Sequence, residues 1–285
     1  MQSKVVLSNL VRLLDDPDES VYRQVRYELI SGGLSSLEEL EVLRYDEGLS
    51  ATAITRIDEI VEDIHFDHLQ KLAADWEKQE NPRLLEGLSL VIRFRYKNYT
   101  VHDLERDIVR FAAPIWLESG ENFTILEKIQ IINRFIFKEL NVKCTPVNRA
   151  APGSFFINDL LLNKAGNDLS VTAFYLLICN YLELSVCAVE VFDKIVMGCL
   201  SPLAIINPEK FPMMLFYINA ANKGLIMGAE QVKVATEGRD KPAVKPVSHK
   251  DLVRSLFLAL ANSYEQTRQN RKASNCVKLA RLLND

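Results

Sequence analysis

The stretch "NKAGNDLSVTAFYLLICNYLEL", residues 163–184, decides the fold of this chain. A short loop containing Gly166 leads into an apolar pattern over Asp168–Leu184, which predicts a long helix. Hydrolases and acyl transferases with a cysteine nucleophile often place it at such a helix start, because backbone N–H groups and the helix dipole lower the thiol pKa. This chain has Asp168 there, which favours a binding or structural role over thiol chemistry.

Composition is that of a globular protein of about two domains, or of one domain with helical extensions. The 285 residues are 48% apolar and 25% charged. No apolar run approaches the roughly 18 residues that cross a bilayer, and the first residues lack a secretory pattern. We therefore expect a cytoplasmic protein without membrane association. Five cysteines without CxxC spacing predict reduced, mostly buried thiols.

Charge is distributed unevenly along the chain. Residues 1–80 contain 18 acidic and 8 basic residues, a net charge of −10, whereas the remainder contains 20 acidic and 26 basic residues, a net charge of +6. The two parts could attract each other or face different partners. The basic segment Arg268–Lys272 has only three cations and no aromatic residue, so we predict no nucleic-acid partner.

An acidic, HEAT-like helical region is predicted over residues 1–80. Apolar spacing and breaks indicate four successive helices, the later ones over Leu34–Tyr45 and Ser50–Lys78. His65 and His68 share a face of the last helix. Since no further ligand lies nearby in sequence, we interpret them as surface histidines and predict no metal site.

Residues 81–236 form the predicted core. Helical patterns and a loop over Lys143–Phe155 precede the Asp168 helix. Three β-branched runs then predict a small antiparallel sheet packed on that helix: Val186–Phe192, Ile195–Leu200 and Met214–Ile218.

A linker at 237–249 and a helical hairpin of tetratricopeptide type at 250–285 complete the chain, with helices predicted over Lys250–Glu265 and Arg271–Leu283. The fold class that these elements predict is α+β, mostly α. It combines a helical N-terminal region, a core with a small sheet on a central helix, and a C-terminal helical hairpin.

Two segments carry a family resemblance: "RAAPGSFFINDLLLNKAGNDLSVTAFYLLICNYLELSV", residues 149–186, and "LFYINAANKGLIMG", residues 215–228. Together with the order of elements, they resemble the SirB-type transglutaminase-like proteins with a tetratricopeptide tail. Ser154–Leu162 is similar to that family's "NSYLNxVL" run and Asn219–Gly224 to its "DPFNGG" run. The resemblance implies a transglutaminase-like core, and its Cys–His–Asp site can be carried over position by position.

Every position of that implied site differs here. The cysteine position falls on Asp168, where SirB-type members themselves usually have Pro. Lys194 takes the histidine position, and Asn219 takes that of the aspartate. Lysine cannot exchange a proton near neutral pH unless burial strongly lowers its pKa. We therefore predict a degenerate site in which Asp168 and Lys194 form an ion pair.

Other nucleophiles are conceivable. Ser170 lies in the first turn of the Asp168 helix, where a Ser–Lys arrangement could form, although hydroxyls there usually cap the helix. Cys144 is the cysteine whose basic neighbour, Lys143, could activate it, yet no histidine lies between His102 and His249.

We interpret the chain as a noncatalytic transglutaminase-like protein, a cytoplasmic protein-interaction or regulatory module with a protein partner and no cofactor. The alternative is a hydrolase or acyl transferase with a rebuilt site around Asp168, Lys194 and Ser170. A third hypothesis is small-molecule binding in the degenerate cleft. The candidate cleft residues are Asn167, Asp168, Ser170, Lys194, Asn219 and Asn222.

Overall fold

The computed structural model describes residues 9–46, 48–120, 122–206, 213–236 and 244–283. Its described elements are mostly helices, with a small antiparallel sheet, so the predicted mostly-α member of the α+β class is confirmed. The chain divides into two compact units, Met1–Leu72 and Ala73–Asp285. None of the described helices is long and apolar enough to cross a membrane.

The first unit is helical. It contains α1 (Glu19–Ser31), α2 (Leu34–Leu43) and most of α3 (Ala51–Glu77), close to three predicted helices. The side chain of Asp18 begins α1 by accepting a hydrogen bond from the backbone N–H of Ser20 at 2.8 Å. The start of the first predicted helix, within residues 1–8, lies outside the described residues. Apolar side chains from these helices form one buried core, which includes Leu14, Leu29, Leu40, Ile57 and Ile60.

His65 is more enclosed than the sequence predicts. Its side chain is 12% exposed and its Nε2 lies 3.8 Å from Oε1 of Glu41. Our interpretation of His65 as a surface histidine is therefore wrong. Helix α2, which carries Glu41, packs against the part of α3 that contains this histidine. His68 is half-buried. Within the described residues, no three potential metal ligands come together.

The second unit begins with three helices that precede the central one. They are α4 (Leu84–Arg93), α5 (Val101–Glu118) and α6 (Ile125–Asn133), and a wider helical turn at Arg134–Glu139 continues α6. Thr124 and Glu127 form a capping box: the Thr124 hydroxyl accepts from the Glu127 N–H at 3.3 Å, and the Glu127 carboxylate accepts from the Thr124 N–H at 2.8 Å. Local sequence alone therefore determines where α6 begins.

The central helix is α8 (Asp168–Tyr181), in which every residue from Ser170 to Cys179 is buried. The short helix α7 (Ile157–Asn163) precedes it. Strands β1 (Lys143–Thr145) and β2 (Ala165–Asn167) pair in parallel, which places Cys144 opposite Gly166. The sequence pattern predicts a loop at β1 instead of a strand. The two strands are three residues each and about 20 residues apart, so neither one shows a periodic apolar pattern.

Five strands form one antiparallel sheet in the order β6-β5-β4-β3-β7, and α8 packs on β3 and β4. Three strands match the predicted runs, whereas β6 and β7 were not predicted. The strand bounds are β3 (Val186–Val191), β4 (Lys194–Leu200), β5 (Met214–Asn219), β6 (Leu225–Gly228) and β7 (Val244–Pro246).

Strand β7 lies within the 237–249 range that we described as a linker. It pairs with β3, where Lys245 is the register partner of Glu190. The other part of that range, 237–243, lies outside the described residues.

The remaining helices are α9 (Pro202–Ile206), α10 (Ala229–Thr236), α11 (His249–Gln266) and α12 (Asn270–Leu282). The last two pack on each other as a hairpin, and α11 also contacts α4 and α8. One face of α11 is fully buried and includes Leu252, Leu256, Phe257 and Leu260. The C-terminal hairpin is thus packed into the second unit.

Candidate functional site

The start of α8 is held by Asn167. Its Oδ1 accepts hydrogen bonds from the backbone N–H groups of Leu169 at 2.9 Å and Ser170 at 3.0 Å, while its Nδ2 donates to the carbonyl of Ser154 at 3.1 Å. The Ser170 hydroxyl completes the box by accepting from the Asn167 N–H at 2.9 Å. Two of the exposed donors that normally attract an anion at a helix start are therefore already satisfied.

The hydroxyl of Ser170 both accepts and donates hydrogen bonds within the fold. Besides accepting from Asn167, Oγ donates to the carbonyl of Ser154 at 2.7 Å, and the residue has no exposed surface. A nucleophilic hydroxyl must reach the substrate and transfer its proton to a base. The contacts of Ser170 are those of a helix cap.

Asp168 contacts a cysteine that lies 24 positions earlier in the chain. The Cys144 thiol donates to Asp168 Oδ1 at 3.3 Å, and the Val147 N–H donates to Oδ2 at 3.4 Å. Burial, with a smaller contribution from the Asp168 carboxylate, raises the pKa of the Cys144 thiol to about 12. Cys144 is therefore a protonated thiol at neutral pH, whereas the sequence suggested that Lys143 could activate it.

The other four cysteines are also free thiols. Burial raises the pKa of each one, to about 11 for Cys199 and upward for Cys179, Cys187 and Cys276. Cys179, Cys199 and Cys276 are buried, which agrees with the predicted buried, reduced thiols. A raised pKa disfavours the thiolate, which is the nucleophilic form.

Lys194 begins β4 directly after a two-residue hairpin turn. Phe192 and Asp193 form that turn with φ angles of 54° and 59°, the left-handed conformations that a type I′ turn requires. A bulky residue such as phenylalanine rarely adopts this conformation. The tight turn holds Asp193 and the exposed Lys194 at the end of the hairpin.

Asn219 ends β5 and caps the following turn. Its Oδ1 accepts from the backbone N–H of Asn222 at 3.2 Å, and its backbone carbonyl accepts from the Gly224 N–H at 3.0 Å. Asn219 is half-buried, whereas Asn222 is exposed. Asn219 thus stabilises the turn through both its side chain and its backbone carbonyl.

A cavity of about 860 Å³ brings Asp168, Lys194 and Asn219 to one place. These are the three positions that the family resemblance assigns to a Cys–His–Asp site. Among the described residues that border the cavity there is neither a cysteine nor a histidine. The other candidate residues, Asn167, Ser170 and Asn222, do not border it.

The predicted ion pair between Asp168 and Lys194 is wrong. No such pair within 4 Å joins these two side chains, both of which the structure describes. The carboxylate of Asp168 instead accepts hydrogen bonds from Cys144 and the backbone of Val147. Lys194 is exposed at the end of the hairpin, where water can solvate its ammonium group.

Charges of both signs border the rest of the cavity. Strands contribute Glu190, Asp193 and Lys245, and helix α11 contributes Asp251 and Arg254. Arg254 Nη1 lies 3.8 Å from Asp251 Oδ1. Because both anionic and cationic side chains border the cavity, it favours neither a simple anion nor a simple cation.

Comparisons with known proteins agree with this arrangement at the level of the family. A profile described as the transglutaminase-like superfamily matches residues 102–256, a range that includes Asp168, Lys194 and Asn219. No curated protein matches the chain. No solved structure matches it either. Since the profile covers more than half of its residues, the chain belongs to the transglutaminase-like superfamily.

Proposed function

We propose that this protein is a noncatalytic member of its superfamily, acting in the cytoplasm as a protein-interaction or regulatory module. The observation that carries the proposal is the start of α8, where a carboxylate stands in the position of the nucleophile. Asp168 accepts a hydrogen bond from Cys144 rather than presenting a thiolate to the cavity.

The state of the remaining groups supports the absence of thiol chemistry. A cysteine nucleophile needs a lowered pKa and a base that exchanges protons near neutral pH. Cys144 instead has a pKa raised to about 12, and Lys194 occupies the place of the histidine. The rebuilt Ser–Lys alternative is disfavoured because the Ser170 hydroxyl is buried in the cap of α8.

An exposed apolar surface supports the interaction role. Around the end of α5 and the start of α6, Trp116 is 61% exposed, Leu117 76%, Phe123 42% and Leu126 39%. These four residues lie within eleven positions of the chain, and exposed aromatic and aliphatic side chains are typical of protein-binding surfaces. We assign this surface, the α5–α6 surface, to a protein partner that presents an apolar face.

The finer family assignment is also part of the proposal. The resemblance of residues 149–186 and 215–228 supports membership of the SirB-type group. The α11–α12 hairpin supports a tail of tetratricopeptide type, present as a single helical pair. A single pair cannot form the concave surface of a repeat array, because each repeat contributes only part of it. We therefore place the partner at the α5–α6 surface.

Affinity purification of the tagged full chain from native cell extract tests the interaction. We expect a stoichiometric partner that is lost from a Trp116→Ser/Leu117→Ser variant. The matched control is Leu162→Ser, which changes an equally exposed leucine on α7, 78% exposed. The control should retain the partner.

An assay of peptide turnover tests the proposal that the protein is noncatalytic. The purified protein is incubated with glutamine-containing and amide peptides, and released ammonia and new products are measured. We expect no turnover above the buffer rate. Hydrolysis or transamidation that Asp168→Ala abolishes, in a protein that recovers no stoichiometric partner, would overturn the proposal.

A further inference from the structure

The charged side chains around the cavity differ in whether they already have partners. Asp168 accepts hydrogen bonds from Cys144 and Val147. Asp251 closes the capping box of α11, because its Oδ2 accepts from the Ser248 hydroxyl at 2.6 Å and from the Ser248 N–H at 3.3 Å. These two carboxylates are therefore largely occupied by the fold itself.

Glu190 is different. It is half-buried on β3, where Lys245 of β7 is its register partner. Its carboxylate forms no side-chain hydrogen bond or ion pair with any described residue. A half-buried carboxylate without a protein partner is a favourable site for an ammonium group. Glu190 is thus the cavity's available half-buried anion.

Arg254 borders the same cavity from helix α11. Its side chain is 38% exposed, and its closest described carboxylate, that of Asp251, lies 3.8 Å away, beyond hydrogen-bonding distance. The planar guanidinium group can hold a carboxylate through two parallel hydrogen bonds. Glu190 and Arg254 come from different elements, a strand and a helix, and border the same cavity, so one ligand can meet both.

Apolar side chains also border the cavity. The cavity is also bordered by Val147, Leu169, Ile195, Val196 and Val247. Its volume of about 860 Å³ lies at the upper end of the range for small-ligand sites, and far exceeds that of a single water or ion. A ligand that carries apolar groups and two opposite charges matches this lining.

A free inorganic anion does not match it. The start of α8 would normally favour an anion, yet Asn167 already accepts from two of its N–H groups, and the Asp168 carboxylate would repel a negative charge. A polyvalent cation does not match it either, because Lys194, Lys245 and Arg254 would repel it.

We propose that the cavity binds a short peptide with free termini, its ammonium group on Glu190 and its carboxylate on Arg254. This ligand site goes beyond the protein-interaction function and does not depend on it, because the α5–α6 surface is not part of the cavity. The peptide remains intact, since no bond changes on binding.

Isothermal titration calorimetry of the full chain tests the proposal with four forms of trialanine: free, N-acetylated, C-amidated and blocked at both ends. We expect the free peptide to bind, and each single block to weaken binding by about tenfold or more, because each removes a charge-assisted hydrogen bond. In Glu190→Gln, the free and N-acetylated peptides should bind equally. In Arg254→Gln, the free and C-amidated peptides should bind equally.

Matched controls are Glu265→Gln and Arg281→Gln, which change exposed residues on α11 and α12 outside the cavity. Both controls should behave as the wild type does. Equal binding of all four peptides to the wild type would overturn the proposal, and so would the absence of binding by every peptide at millimolar concentration. Neither result affects the partner purification, so the two proposals fail independently.

Discussion

Cys144 and Asp168 form a thiol–carboxylate pair, with 3.3 Å between Sγ and Oδ1, at the start of the central helix. In a cysteine-dependent enzyme the thiol at this position is ionised by nearby positive charge. Here the helix start carries the negative charge, and the thiol comes from a neighbouring strand as a hydrogen-bond donor. The pair therefore stabilises the protonated cysteine, the opposite of what nucleophilic catalysis needs.

Removing the charge of Asp168 should make Cys144 more reactive. In Asp168→Asn, the pKa of the thiol falls because the repulsive carboxylate is lost, although it stays above its ordinary value since burial is the larger cause. We expect alkylation of Cys144 by iodoacetamide at about pH 9 to accelerate roughly 3- to 10-fold. Peptide mass spectrometry measures this rate. Asp193→Asn, a change at an exposed cavity carboxylate, is the control and should leave the rate unchanged.

Alkaline pH should destabilise the folded protein in part through Cys144. Its pKa is raised in the fold from an ordinary value of 9.0 to about 12, so the folded state holds this proton more tightly than the unfolded state. The resulting stabilisation is fully present below pH 9 and is lost as the pH rises toward 12. We expect urea unfolding to show a smaller alkaline loss of stability in Cys144→Ala than in the wild type. Parallel alkaline curves for the two proteins would contradict the assignment.

Loss of the Asn167 side chain should destabilise the second unit. The side chain caps α8 through two N–H groups and also satisfies the Ser154 carbonyl, all in a fully buried place. We expect Asn167→Ala to lower the free energy of unfolding by about 1–3 kcal/mol, measured by denaturant titration. Asn222→Ala, at an exposed asparagine outside the cavity, should change it by less than about 0.5 kcal/mol.

Gly166 should tolerate no side chain. A Cβ atom at this position would lie 2.6 Å from Leu160 Cδ1 and 2.7 Å from the Ser170 hydroxyl oxygen, both of which are fixed within the fold. We expect Gly166→Ala to destabilise the protein by about 1–3 kcal/mol, because the start of α8 must shift to make room. At Gly120 the nearest contact would be an ordinary 3.6 Å to Phe123. Gly120→Ala should therefore stay within about 0.5 kcal/mol of the wild type, and equal losses in both variants would contradict the steric argument.

Helices with strong local signals could be predicted closely. For α11 the predicted range Lys250–Glu265 differs from the observed His249–Gln266 by one residue at each end. Apolar spacing and caps are properties of neighbouring residues, so they need no knowledge of the rest of the fold. The predicted end of the central helix, Leu184, was three residues too late, because apolar residues continue past Tyr181 into the turn that leads to β3.

Strands without such signals could not be predicted. β1 and β2 are three residues each, and they exist because they pair with each other. β7 contains a proline and lies in a charged, proline-containing segment, yet pairing with β3 makes it the edge of the sheet. These strands are stabilised by backbone hydrogen bonds to a partner that is distant in the sequence. A local pattern of residues cannot indicate such a partner.

The sequence by itself determined which side chains stand at the three positions that the family resemblance assigns to a Cys–His–Asp site: Asp168 at a helix start, and Lys194 and Asn219 at strand ends. Only the tertiary structure decided what surrounds them. It placed Cys144 against Asp168 through the β1–β2 pairing, left Lys194 without the predicted ion pair, and brought Glu190 of the sheet and Arg254 of α11 to one cavity. Contacts between distant segments depend on how the elements pack, and packing is a property of the whole fold rather than of any one stretch of sequence.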